Sequence, residues 1–132
     1  MFLFIDTTED EIILALFEEN KILRQMTEKA RYRQSELLLI EIDNFLRKNK
    51  VSLDSLKGII VVKGPGSFTG TRIGVATANA LAFALDISIL GIKKEGSSLK
   101  KLIKKYYKKV RSKNPILPIY SKSPNITIKK KN

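Results

Sequence analysis

Hydrophobic and polar positions follow two different periods along this chain. Residues 2–7 (FLFIDT), 11–17 (EIILALF) and 20–27 (NKILRQMT) are short apolar-rich runs separated by TTED and EEN. They predict three strands joined by tight connections into a meander. From Ser35 to Lys48 the segment SELLLIEIDNFLRK takes the helical period, with Ser35 as N-cap, Glu36 in the first turn and basic residues in the last. Leu38, Leu39, Ile42, Phe45 and Leu46 make its core face, and Leu37 and Ile40 project roughly opposite them.

After the connection VSLDSLK, the unbroken apolar run GIIVV (58–62) suits a strand buried on both faces. A glycine loop then leads into a helix from about Ser67 to Leu85, followed by a short strand, ISILGI (87–92). Strand, helix and strand make one right-handed parallel crossover. The expected fold is α/β: a five-stranded mixed sheet with helices packed on it. Residues 97–112 (SSLKKLIKKYYKKVRS) read as a last amphipathic helix, with Leu99, Leu102, Ile103, Tyr106, Tyr107 and Val110 at helical spacing. Three of the four prolines fall after it, so the closing stretch is expected to be extended and then frayed. No internal repeat is present and no apolar run is long enough to span a membrane.

Charge divides the 132 residues into two parts. Residues 1–92 carry 11 Lys and Arg against 12 Asp and Glu, whereas residues 93–132 carry 14 basic residues against the single acid Glu95. The net charge of +12 therefore belongs to the second part. Such asymmetry fits contact with nucleic acid, with Lys104, Lys105, Lys108, Lys109, Lys129, Lys130 and Lys131 as candidates and Tyr106 and Tyr107 able to stack on bases. It fits equally a coding composition rich in Lys, Ile and Asn, and the pattern leaves both open. With no Cys there is neither a disulfide nor a thiolate metal site, and with no His the commonest general base is missing. The N-terminus lacks a basic region ahead of its apolar start and turns acidic at Asp6, so no signal peptide is read and a cytoplasmic protein is the default.

The loop KGPGSFTGTRIG (63–74) stands where a phosphate cradle would, between a buried strand and a helix N-terminus. Its spacing matches neither standard case. Gly70 is followed by Thr71 and Arg72 rather than by the Lys and Ser or Thr of a Walker A loop. Gly64, Gly66 and Gly70 occupy the first, third and seventh places rather than the first, third and sixth of a dinucleotide loop. Ser67 is better used as a helix cap than as a nucleophile, since only Lys63 or Lys93 could serve as its base.

GPGSFTGTRIGVATANALA (64–82), comprising the loop residues Gly64, Pro65, Gly66, Ser67, Phe68 and Thr69 and the helix they open, closely resembles the signature of the bacterial TsaB family. IDTTED resembles that family's opening strand and turn, QSELLLIEIDNFL its first helix, and ILPIYSKSP its closing proline-tyrosine element. The resemblance implies a single actin-like, ribonuclease-H-like lobe over residues 1–92, and a non-catalytic partner of TsaD in forming threonylcarbamoyladenosine in tRNA anticodon loops. It also brings in a TsaE-like ATPase of the same assembly and makes tRNA the nucleic acid that the basic tail would contact, and no cofactor is assigned. Family members usually carry a second lobe before the closing element. Here a basic helix and extended tail, residues 93–132, take its place, which implies internal reduction. Where the family's closing element usually has Arg, this chain has Lys122.

The chemistry of related folds is not matched by the residues present. Asp6, Thr7 and Thr8 occupy the place of the phosphate hairpin of actin-like ATPases, without its glycine. Where TsaD resembles a metal enzyme with paired histidines, this chain has Arg33, Gln34, Ser35 and Glu36, a poor ligand set. No catalytic residue and no metal ligand is assigned, and neither an ATPase nor a peptidase is favoured. A small basic RNA-binding module is the alternative to the scaffold.

Gly70, Gly74 and Ala78 recur four apart and place small residues on one line of a helix whose only polar side chains from Ile73 to Leu85 are Thr77 and Asn79. Such a helix needs cover on more than one side. Together with Leu37 and Ile40 this line is expected to form the partner interface, filled by TsaD or, in the protein alone, by a second copy.

Overall fold

The computed structural model describes residues 1–119. Three strands, β1 (Phe2–Asp6), β2 (Glu11–Glu18) and β3 (Lys21–Lys29), form the meander. They are followed by α1 (Gln34–Lys48), β4 (Gly58–Val62), α2 (Phe68–Leu85), β5 (Ser88–Ile92) and α3 (Leu99–Tyr106). The sheet order is β3-β2-β1-β4-β5. β1 pairs antiparallel with β2 and parallel with β4, and β5 is parallel to β4. This is the five-stranded mixed sheet that the patterning predicts.

β4 is apolar without interruption, and β1 and β2 are apolar between their ends, because both faces of the sheet are covered. Their period of two sorts the side chains into two cores. Leu3, Ile5, Ile12, Leu14, Leu16, Ile59, Val61 and Ile89 face α1 and α2. Phe4, Ala15, Phe17, Ile60, Val62 and Ile92 face the other way, where Leu102 and Ile103 of α3 and Val110 cover them. The segment after β5 is therefore packed into the same body as the sheet. Beyond α3 the chain runs extended beside β5, with Ile89 N donating to Ser112 O at 2.8 Å.

Four expectations are corrected. Ser35 does not cap α1; the cap position is Arg33, without a side-chain cap, and Ser35 lies in the first turn. Leu39 is not core but 61% exposed, because the buried stripe runs through Gln34, Leu38, Ile42, Phe45 and Leu46. Leu37, expected to project outward, is half-buried and packs against the first core, while Ile40 does project, at 55% exposure. The basic helix spans Leu99–Tyr106, not 97–112, and gives way to a short 3-10 turn, Tyr107–Lys109. Ending the helix there lets Val110 bury itself against β4, within the space a side chain on Gly58 would fill.

Candidate functional site

The site is the turn after β1 facing the glycine loop. Asp6 ends β1 buried, and its carboxylate is spoken for on both sides. Oδ1 accepts from Thr8 N at 2.9 Å and Thr8 Oγ1 at 2.6 Å, the local bonding by which Asp builds turns. Oδ2 accepts from Lys94 Nζ at 2.8 Å, and the same ammonium lies 3.2 Å from Glu9 Oε2. Burial pulls the Lys94 pKa down, but the hydrogen bonds and charges of Asp6 and Glu9 outweigh it and leave it above the usual lysine value. Lys94 N also donates to Gly64 O at 2.8 Å. Backbone and side chain of one residue thus join the start of the glycine loop to the end of β1.

Gly64 takes a φ of +109°, a conformation that only glycine adopts readily, and a Cβ there would run into Ile119 O. Ile119 N in turn donates to Lys63 O at 2.6 Å. The Gly64–Pro65 bond is cis. At Gly66 a Cβ would meet Thr8 Cβ and O at 2.6 Å, so the loop lies flat on the turn. Ser67 N donates to Thr8 O at 2.7 Å, and Ser67 Oγ accepts from Gly70 N at 3.1 Å, which makes Ser67 the cap of α2, as its place in the sequence suggests. Phe68 is exposed beneath the Arg72 guanidinium, 5.0 Å from its ring centroid, and Thr69 is exposed. The loop's Ser67 and Gly70 amides are thus turned to internal oxygens and not to an open cradle.

The line of small residues is corrected as well. Gly70, Gly74 and Ala78 are buried within the protein itself. A Cβ at Gly70 would strike Thr7 O, one at Gly74 would strike Thr7 Oγ1, and Thr7 Oγ1 donates to Gly70 O at 2.6 Å. These glycines admit the turn after β1 and, at Gly70, the Gln34 side chain of α1 of the same chain, whose Nε2 would lie 3.3 Å from a Cβ there. Beyond its first turn α2 leaves outward Arg72, Ala76, Ala80, Ala84 and, at 89% exposure, Phe83. On α1 the outward apolar residues are Leu39 and Ile40.

Among the described residues no group of three or more Asp, Glu, His or Cys could hold a metal ion. Gln34, one of the residues at the place of a metal pair, is buried and donates from Nε2 to Glu9 O at 2.8 Å. No helix of the described residues is long and apolar enough to cross a membrane.

Lys104, Lys105, Lys108 and Lys109 are exposed on α3 and the turn after it. Lys105 pairs with Glu95 at 3.2 Å, and Tyr106 Oη donates to the same carboxylate at 2.6 Å. The Tyr106 hydrogen bond first, and Lys105 after it, hold the Glu95 carboxyl below the usual carboxylate range. Lys129, Lys130 and Lys131 lie outside the described residues, as does Lys122. Lys94 was not singled out by sequence reasoning, and Gln34 was named only as part of a poor ligand set, not as a bridge to the turn after β1. Lys94 is one lysine among many, and only the fold brings it to Asp6.

The family described as TsaD, tRNA N6-adenosine threonylcarbamoyltransferase, matches residues 19–121. The tRNA threonylcarbamoyladenosine biosynthesis protein TsaB of Buchnera aphidicola (Schizaphis graminum) is 31% identical over 120 residues, covering 91% of this chain and 55% of that protein. TsaB of Bacillus subtilis is 34% identical over 90 residues, covering 68% of this chain and 39% of its own length. Among solved structures, YeaZ from Pseudomonas aeruginosa superposes with a TM-score of 0.64 at 30% identity, over 70% of this chain and 43% of that one. This chain spans about half the length of the first of these relatives, or less. On the family match and these relatives, this chain belongs to the TsaD family and within it is TsaB-like, with the actin-like fold.

Proposed function

We propose that this chain is a scaffold that does no chemistry of its own and docks a TsaD-type protein, supporting an assembly that forms threonylcarbamoyladenosine in tRNA. The observation that carries this reading is the apolar surface left outward on α1 and α2: Leu39, Ile40, Ala76, Ala80 and Phe83. The occupied Asp6 carboxylate supports the absence of catalysis, since the acid that would anchor a nucleotide's metal is held by Lys94. Leu37, half-buried against the first core, and Gly70, Gly74 and Ala78, buried within the protein, take no direct part in this surface. In the protein alone a second copy occupies the same surface, and the two occupants exclude each other. A TsaE-like ATPase belongs to the same proposed assembly.

The test is co-purification with the TsaD-type protein of the same organism. Ile40→Glu and Phe83→Glu each place a charge in an apolar contact while sparing the core, so association is expected to weaken roughly tenfold or more with the melting temperature nearly unchanged. Full binding by both variants would sink the docking surface, and with it the scaffold.

A further inference from the structure

The opposite side of the sheet presents a surface that scaffolding leaves unused. α3 lies on the second core, away from α1 and α2, with Leu102 and Ile103 turned inward. At 3.6 residues per turn, Lys100, Lys101, Lys104 and Lys105 fall together on the arc facing away from that pair. All four are exposed, as are Lys108, Lys109 and Arg111 directly after. Among the described residues, Lys105 alone of these seven has an acidic partner. A groove lined by Arg24, Gln25, Ser98 and Lys100 extends the basic surface to the edge strand β3.

Three observations narrow what such a surface takes. The apolar side of α3 is already buried, so the helix has nothing to insert into a lipid layer, as a membrane-surface helix must. The aromatic rings are already faced by cations: Lys105 and Lys109 stand 5.1 and 5.5 Å from the Tyr106 ring, and Lys108 stands 5.8 Å from that of Tyr107. Tyr106 is further fixed by its bond to Glu95, so base stacking, which the sequence allowed, is not what this surface is built for. What remains is a row of ammonium groups on a rigid helix, with neighbours three and four residues apart about 5–6 Å from each other at Cβ. That arrangement suits a repeating line of phosphates.

We propose that the outer face of α3, with Lys100, Lys101, Lys104, Lys108, Lys109 and Arg111, binds the phosphate backbone of a structured RNA. The choice of tRNA as that RNA rests on the function proposed above. The backbone is held without base recognition, so affinity depends steeply on salt and little on sequence. Because this face and the α1–α2 surface lie on opposite sides of the sheet, the protein holds RNA and its protein partner at once.

The experiment titrates unmodified tRNA with the full chain and with the triple variant Lys101→Ala, Lys104→Ala, Lys108→Ala, over a series of salt concentrations, and measures binding of both proteins to the TsaD-type partner in parallel. The wild-type chain is expected to bind tRNA, and the variant's salt slope to fall by up to about 2–3 units, near 0.7–0.9 for each contact removed. Partner binding should be unchanged. An unaltered slope and affinity would overturn the proposal, as would equal affinity for poly-glutamate of matching charge, which would make the face a general cation exchanger. Ile40→Glu is the separate control. It should retain tRNA binding, and its loss of the protein partner bears on the scaffold alone.

Discussion

Asn79 holds Ile116 with both ends of its amide: Nδ2 donates to Ile116 O and Ile116 N donates to Oδ1, each at 2.9 Å. One polar side chain in an otherwise apolar stretch of α2 thereby pins the returning chain as a strand partner would. The pinned residue is also a packing residue, since a Cβ on Gly91 would meet Ile116 Cγ2 at 2.5 Å. Asn79→Ala leaves the Ile116 amide and carbonyl without these partners, at a cost of about 1–3 kcal/mol. Thermal melts should show a clear fall in Tm, with the segment after α3 gaining protease sensitivity. A variant as stable and as resistant as wild type would mean the pairing contributes nothing.

The glycines of α2 are expected to be intolerant for an internal reason. Gly74→Ala sets a methyl group against Thr7 Oγ1 and disturbs the hydroxyl's bond to Gly70 O. Overpacking of this kind typically costs about 1–3 kcal/mol. Urea unfolding should show the midpoint falling, with partner affinity of the folded fraction retained. Loss of partner binding with unaltered stability would restore these residues to the interface.

Lys94 gives the fold a dependence on alkaline pH. Its pKa is raised in the folded state, so its contribution is fully present below the ordinary lysine range and is lost as pH climbs through the raised value. Well below that range Lys94 is protonated whether folded or unfolded, so its contribution there does not change with pH. Lys94→Met, which leaves the buried Asp6 carboxylate without its cation, should cost about 1–3 kcal/mol at pH 7 and lower Tm. Part of that loss should return in the double variant with Asp6→Asn, where no charge is left unpaired. If the single variant matched wild type, the pair would be a surface ornament and not a staple.

ATP hydrolysis is expected not to exceed buffer. The sequence has no His and no Walker A lysine, and Asp6 is held by Lys94. A phosphate-release assay on purified protein would decide the matter: turnover that vanishes in Asp6→Asn would replace the scaffold with an enzyme.

The sheet was legible because GIIVV is apolar at every position, which suits a strand covered on both sides, and its neighbours in the sheet are apolar over most of their length. The cap at Ser67 was legible for an equally local reason, being one hydroxyl at the junction of loop and helix. Faces were harder. A stripe of small residues looks the same whether it admits a helix or a turn, and the partner here, Thr7, is 63 residues from Gly70 along the chain. The end of α3 was hidden for the same kind of reason. Tyr107 and Val110 keep the helical period, but Val110 is drawn to Gly58 of β4, which no local pattern announces. The Asp6–Lys94 pair joins residues 88 apart and could be found only once β5 had been placed beside β4.

Sheets grow by their edges, and this one offers little to grow from. On the β5 side Ser112 already accepts from Ile89 N, and the chain returning after α3 lies alongside. The other margin, β3, carries Lys21, Arg24, Glu28 and Lys29 exposed, and its pairing with β2 slips at Leu16 and Phe17. Charged side chains and a local irregularity are the features by which proteins deter strand-to-strand aggregation. Neither margin of this sheet therefore offers a long, flat, uncharged strand on which a second copy could stack.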